Sequence, residues 1–305
     1  MFRRKFLLAS LFSISLAAVA CSQGGDVAGT ANNKDVAGTA NNELVMGLIP
    51  AENNEEMIDK FEPMRAYLEQ KLGRPVKVFT ATDYAGVIEA MRQDRVDVAW
   101  FGPLSYILAE KEAGAEAFAV GVTADGTSTY HSIFVVPGDS PLQSIKDLQG
   151  KNVALVDPAS TSGGLVPRFM VSEVVGKKPE DFFGKLTYAG SHDAAGLAVK
   201  NGTVDAAAMS EITYRKMLKE GLITPESVRI LVKSEALPGS PLVYRSDLDE
   251  DTKTKIRDVI LNAHNDIEVT GYGEILRYEA ATPADYDLIR SMISTLGLSR
   301  EEMLK

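Results

Sequence analysis

Short apolar runs alternate with amphipathic helical stretches, the alternation stops at a proline-glycine pair, and then it starts again. This pattern constrains the fold more than anything else in the chain. Residues 44–49 form an apolar run closed by Pro50, which reads as a buried strand. Met57, Phe61, Met64, Leu68 and Leu72 follow at spacings of three and four, one face of a helix stopped by Gly73 and Pro75. Strands are predicted at 76–80, 96–101 and 117–122, with helices at 84–91 and 104–113 between them. Residues 133–136 lead out of this unit, ahead of Pro137-Gly138. The alternation then resumes with strands at 152–156, 186–189, 206–210 and 228–232 and helices at 163–175, 192–201 and 212–220. Pro238-Gly239-Ser240-Pro241 marks a second crossing, 242–244 reads as a short strand, and 249–305 as helical with a break near Thr282-Pro283. Strand–helix alternation predicts an α/β fold of two lobes, each a mostly parallel sheet flanked by helices, with a ligand cleft between them. The expected division is 44–136 plus 242–305 for lobe 1 and 137–241 for lobe 2.

The length of 305 residues suits two such lobes. Acidic residues number 42 against 32 basic, a net charge of −10, the wrong sign for a nucleic-acid reader. One cysteine and three histidines (His131, His192, His264) leave no disulfide framework and little material for a metal site. No metal and no cofactor are expected, and a monomer is the expected state.

Residues 1–20 carry an address. Arg3, Arg4 and Lys5 precede an apolar run that ends in small residues, the pattern of a secretory signal peptide. The lone cysteine, Cys21, stands directly after Ala20 and resembles the acylated cysteine of a bacterial lipobox, although Ala18 stands where leucine is commoner. The alternative is an ordinary signal peptide cut nearby, with a free thiol. Lipid chains on Cys21 would hold the protein to a membrane without spanning it. Residues 21–43 are polar and include a nine-residue tandem repeat beginning at Asp26 and Asp35. They are expected to act as a flexible linker reaching about 25 Å. Loss of the signal leaves 29 basic residues against 42 acidic, so a bound anion has to be held by local dipoles and donors.

The strongest local signal for such a site is Asp157-Pro158-Ala159-Ser160-Thr161-Ser162-Gly163-Gly164, between a predicted strand and a predicted helix. Unpaired helix N–H groups and the helix dipole favour an oxyanion there, glycines allow close approach, and hydroxyls add neutral donors. Plain N-capping is the alternative, and it needs only one of the three hydroxyls. Gly190-Ser191-His192 occupies a second strand-to-helix junction, where His192 is either an anion donor or a capping residue. Tyr84, at the start of a first-lobe helix, either reaches across the cleft or packs on the core. Trp100-Phe101-Gly102 lies at a strand's carboxyl end, where clefts form.

Taken in order, these segments resemble the periplasmic phosphonate-binding proteins and their phosphite-binding relatives. The resemblance rests on Thr82-Asp83-Tyr84-Ala85-Gly86, Val96-Asp97-Val98-Ala99-Trp100-Phe101-Gly102, Ser160-Thr161-Ser162-Gly163 and Leu237-Pro238-Gly239-Ser240-Pro241, and covers nearly all of residues 44–305. It implies a type II periplasmic-binding fold and the substrate-binding component of an ABC importer, with an inner-membrane permease as partner. It also implies that Ser160, Thr161 and Ser162 hold the oxyanion, with His192 and Tyr84 completing the cage. Two departures bear on the ligand. Phe101 stands where aminoalkylphosphonate binders resemble a tyrosine, and Ser240 where they have an aspartate that pairs with a ligand ammonium. A second acidic position falls near Ser210-Glu211, with Glu211 the candidate. The expected ligand is therefore phosphite, methylphosphonate or phosphate, with Phe101 as an apolar wall, and not 2-aminoethylphosphonate. A hydrolase using Ser160 or Ser162 with His192 lacks a Gly-x-Ser-x-Gly elbow and a metal cluster. Another small anion such as a sulfonate, or a sensor-associated module, would use the same cleft.

Overall fold

A computed structural model describes residues 43–305. The signal peptide, Cys21 and the repeat-bearing linker up to residue 42 lie outside the described residues. The chain runs through β1 (Leu44–Leu48), α1 (Asn54–Leu72), β2 (Val76–Thr80), α2 (Tyr84–Arg92), β3 (Val98–Trp100), α3 (Pro103–Ala113) and β4 (Ala115–Thr123). It continues through β5 (Thr129–Tyr130), β6 (Ser132–Pro137), β7 (Asn152–Leu155), α4 (Val166–Val175), α5 (Pro179–Phe182), β8 (Lys185–Tyr188), α6 (His192–Lys200), β9 (Ala206–Ser210), α7 (Glu211–Lys219) and β10 (Val228–Lys233). The last elements are β11 (Leu237–Pro238), β12 (Pro241–Arg245), α8 (Glu250–Asn262), β13 (Ile275–Ala280), α9 (Asp287–Leu296) and α10 (Arg300–Leu304).

Two sheets organise these elements. One has the order β13-β4-β12-β3-β1-β2, the other β10-β6-β9-β7-β8. Both are mixed rather than mostly parallel. Helix crossovers make β1 parallel to β2 and β3, and β7 parallel to β8 and β9. Strands that carry the chain between the sheets enter antiparallel: β4 and β12 in the first, β6 and β10 in the second. The strand β6 departs from the expected lobe boundary at residue 136, because it pairs with β9 and β10 of the second sheet. Its alternation accounts for this placement. Ile133 and Val135 join the main core while Phe134 and Val136 join a second cluster with Val153, Leu155 and Phe183, so both faces are covered. A second departure is β13, which lies in a stretch expected to be helical and pairs antiparallel with β4.

The two chain crossings meet as a small ribbon, in which β5 pairs antiparallel with β11 through Leu237↔Tyr130 and Pro238↔Thr129. This ribbon is the connection about which one sheet unit would move on the other. Several hydrogen bonds tie the units together beside it. The Leu104 amide donates to Thr161 Oγ1 at 2.8 Å, the His192 amide to the Ala51 carbonyl at 2.9 Å, and the Tyr84 amide to Asp157 Oδ2 at 3.4 Å. Thr213 Oγ1 and the Tyr272 hydroxyl lie 2.7 Å apart, and Lys216 Nζ lies 3.1 Å from Glu52 Oε2. Among the described residues no helix is long and apolar enough to cross a membrane.

Candidate functional site

Four helical starts converge on one small cavity between the sheets, lined by Ile49, Ala51, Tyr84, Trp100, Gly102, Tyr130, Ser160, Thr161, Ser162, His192, Ser240 and Tyr272. Tyr84 opens α2, which Asp83 caps by accepting the Gly86 amide at 2.7 Å. Gly102 caps α3 ahead of Pro103, whose missing N–H suits the first helical position. His192 opens α6 behind its cap Ser191. The fourth start is a single π-helical turn, Thr161–Leu165, leading into α4. Its wide bonds run from the Leu165 amide to the Ser160 carbonyl and from the Val166 amide to the Thr161 carbonyl. Helix starts carry partial positive charge, an arrangement able to seat an anion, although the Tyr84, Leu104 and His192 amides are already taken by Asp157, Thr161 and Ala51.

The capping reading of the hydroxyl triplet holds, and it leaves the hydroxyls free to donate. Ser160 Oγ caps the turn by accepting the Gly163 amide at 3.1 Å, and a hydroxyl that accepts still has its own proton to donate. Thr161 Oγ1 likewise accepts the Leu104 amide, and the Ser162 carbonyl accepts from Ser132 Oγ at 2.6 Å. The turn can lie this close to its neighbours because residues 163 and 164 are glycine. A Cβ on Gly163 would stand 2.3 Å from Val156 Cγ2, and one on Gly164 2.4 Å from the Asp157 carbonyl oxygen.

The lining contains no Lys, Arg, Asp or Glu. His192 is not a cation there: burial pushes its imidazole down to about 4, the nearby Glu52 carboxylate offsetting only part of this. Its Nδ1 accepts the Ser210 amide at 3.0 Å, which places the ring proton on Nε2. The accepting nitrogen is thus occupied and unsuited to act as a base for Ser160 or Ser162. Burial pushes the Tyr130 phenol up to about 12 and that of Tyr84 well above its ordinary value, so both stay protonated donors. The Tyr84 hydroxyl is buried and has no hydrogen-bond partner among the described residues. An orphaned buried hydroxyl is costly unless a bound molecule supplies the acceptor.

Six of the residues singled out from sequence, Tyr84, Ser160, Thr161, Ser162, His192 and Ser240, line the cavity together. Phe101 does not. Its side chain is fully buried, and successive side chains of an extended segment point to opposite faces, so with Trp100 turned to the cavity Phe101 faces away. The apolar wall is made instead by Ile49, Ala51 and Trp100. Glu211 does not reach the cavity either. It sits at the start of α7, bound to Lys233 at 2.8 Å and Arg215 at 2.7 Å. Burial opposes its charge, but hydrogen bonds from Lys233 and Arg215 outweigh that and hold its carboxyl below the ordinary range. Ile49, Ala51, Tyr130 and Tyr272 were not anticipated. Ile49-Pro50-Ala51 follows β1 at its carboxyl end, a position that sequence could have flagged. Tyr130 sits in the β5–β11 ribbon and Tyr272 in a coil segment beside Trp100, the Tyr272 and Trp100 ring centroids 5.0 Å apart; no sequence signal marks either tyrosine. Among the described residues no group of three or more His, Cys, Asp or Glu is placed to hold a metal ion.

Residues 46–288 match the family model described as ABC transporter, phosphonate, periplasmic substrate-binding protein. The chain belongs to this family. It is 37% identical over 223 residues to the phosphonates-binding periplasmic protein of Escherichia coli, covering 72% of this chain and 65% of that one. It is 30% identical over 276 residues to a phosphate-import protein of Mycolicibacterium smegmatis, covering 83% and 86%. The crystal structure of a binding protein component of an ABC phosphonate transporter from Pseudomonas aeruginosa superposes with a TM-score of 0.76 at 28% identity, covering 86% of this chain and 91% of that one. The architecture is that of the type II periplasmic-binding proteins, and substrate-binding members of this family locate to the periplasm.

Proposed function

We propose that this protein captures a small phosphorus oxyanion with an uncharged substituent (phosphite, methylphosphonate or phosphate) in the periplasm and delivers it to an ABC permease. The observation that carries this reading is the buried, unpartnered Tyr84 hydroxyl facing a seat of helix amides and neutral hydroxyls. Ser160, Thr161 and Ser162 would bind oxygens through hydroxyls and turn amides, with Tyr84, Tyr130 and His192 Nε2 as further donors. A phosphorus–hydrogen or phosphorus–methyl group accepts no hydrogen bond and suits the apolar wall of Ile49, Ala51 and Trp100. Capture is completed by movement about the β5–β11 ribbon. Attachment to the membrane would run through lipid on Cys21.

The neutral lining also argues against a ligand ammonium. Ser240 offers a hydroxyl where a carboxylate would be needed, and Glu211 is already neutralised by two cations. Calorimetric titrations should give tighter binding of phosphite, methylphosphonate or phosphate than of 2-aminoethylphosphonate. Ser240→Asp should shift the ranking toward 2-aminoethylphosphonate by about tenfold or more, the size of one charge-assisted hydrogen bond. Preferential binding of 2-aminoethylphosphonate by the unaltered protein would overturn the assignment.

A further inference from the structure

A second chamber opens off the oxyanion cavity and shares Trp100, Tyr130, Ser240 and Tyr272 with it. Its remaining wall comes from the end of β4, the β4–β5 connection, the β5–β11 ribbon, Ile212 of α7, and β13. Thr123, Thr127, Ser128, Ile275 and Tyr278 are among its lining residues, none of which is charged. The Thr127 hydroxyl donates to Asp125 Oδ1 at 2.9 Å, as the Thr123 hydroxyl does at 2.5 Å, which leaves the Thr127 and Thr123 oxygens as acceptors. The Asp125 carboxylate, held by these bonds at the exposed loop tip, does not line the chamber. Close approach of the ribbon to this loop depends on Gly239, where a Cβ would stand 2.3 Å from the Ser128 carbonyl oxygen. Tyr278 lines the chamber; the residue is 3% exposed, and its buried hydroxyl has no hydrogen-bond partner among the described residues.

We infer that this chamber receives the distal part of longer organic substituents, which extend past the shared Trp100, and selects short neutral hydroxyalkyl chains, with the Tyr278 hydroxyl bonding the substituent's hydroxyl. The inference rests on the phosphorus-oxyanion reading of the adjoining cavity. A neutral hydroxyl satisfies the orphaned phenol and can donate to threonine oxygens. An ammonium would find no carboxylate, and a plain alkyl chain would leave the phenol unpaired. Burial raises the Tyr278 phenol's pKa, so it remains a donor at neutral pH.

The test is calorimetry with paired ligands: 2-hydroxyethylphosphonate against propylphosphonate, and 3-hydroxypropylphosphonate against butylphosphonate, with methylphosphonate as reference. At least one hydroxylated compound should bind about five- to tenfold tighter than its alkyl counterpart. Tyr278→Phe should erase that advantage while leaving methylphosphonate affinity unchanged and thermal stability unchanged or raised. Equal affinities within both pairs, or an advantage that survives Tyr278→Phe, would overturn the chamber's role. Failure of the unaltered protein to bind phosphite and phosphate as well as every one of these phosphonates would overturn the phosphorus-oxyanion reading itself.

Discussion

Gly164→Ala is expected to lower folding stability by about 2–3 kcal/mol, the upper part of the range for a side chain forced into packed space. The new methyl group would meet the Asp157 carbonyl oxygen at 2.4 Å. That oxygen belongs to the backbone and also accepts the Ser160 amide at 3.0 Å, so it cannot swing aside as a side-chain tip would. The π-helical turn has to move instead, and with it Ser160, Thr161 and Ser162. Affinity for methylphosphonate should therefore fall about a hundredfold or more, the loss of two or so charge-assisted hydrogen bonds. Chemical denaturation and calorimetry on the same preparation measure both effects. A variant with unaltered affinity would show that the turn's placement does not govern binding.

The second large effect concerns His192 and pH. Its folded pKa of about 4 lies below the ordinary imidazole value of 6.5 that holds in the unfolded chain. Burial as the neutral ring therefore contributes stability that is present above pH 6.5 and is lost as pH falls through 4, on the order of 3 kcal/mol in all. Asp157 works in the opposite sense. Burial raises its carboxyl from 3.8 to about 6, with hydrogen bonds from the Ala159 and Tyr84 amides only partly offsetting this, so its contribution falls as pH rises from about 4 to 6. In the unaltered protein the two slopes largely cancel between pH 4 and 6. His192→Gln should remove one of them. The variant then gains stability relative to the unaltered protein as pH drops from 6.5 to 4, and methylphosphonate binding at pH 7 weakens about ten- to a hundredfold. Asp157→Asn in the same background should flatten the remaining slope. Denaturation midpoints across this pH range provide the check; a constant stability difference between His192→Gln and the unaltered chain would mean that the ring is not held neutral by burial.

The parts of the fold that local pattern controls were legible in sequence. Helix faces such as Met57–Phe61–Met64–Leu68, and strand-to-helix junctions bearing Asp83, Ser160 and Ser191 as caps, depend on neighbours a few residues away. The junctions also disclosed most of the cavity, because helix starts are chemically marked by capping residues and glycines. What escaped was set by distant contacts. The strand β13 exists because Ile275–Ala280 finds the free edge of β4, more than 150 positions away in the chain. The lobe assignment of β6 was decided by the partners on its two faces rather than by its own composition. Phe101 was placed by motif alone, and the alternation of the extended chain turned it away from the ligand side. Tyr130 and Tyr272 reach the cavity from a two-stranded ribbon and a coil, where no periodicity announces direction.

An uncharged cage of helix amides and hydroxyls is proposed to hold a tetrahedral phosphorus oxyanion, and a crystal structure grown with methylphosphonate would show whether it does. The expected result is phosphorus oxygens within hydrogen-bond distance of Ser160, Thr161 and Ser162, the Tyr84 hydroxyl and His192 Nε2, with the methyl group against Ile49, Ala51 and Trp100. Methylphosphonate bound away from the turn at Ser160–Ser162, or the Tyr84 hydroxyl still unpaired in the complex, would contradict it.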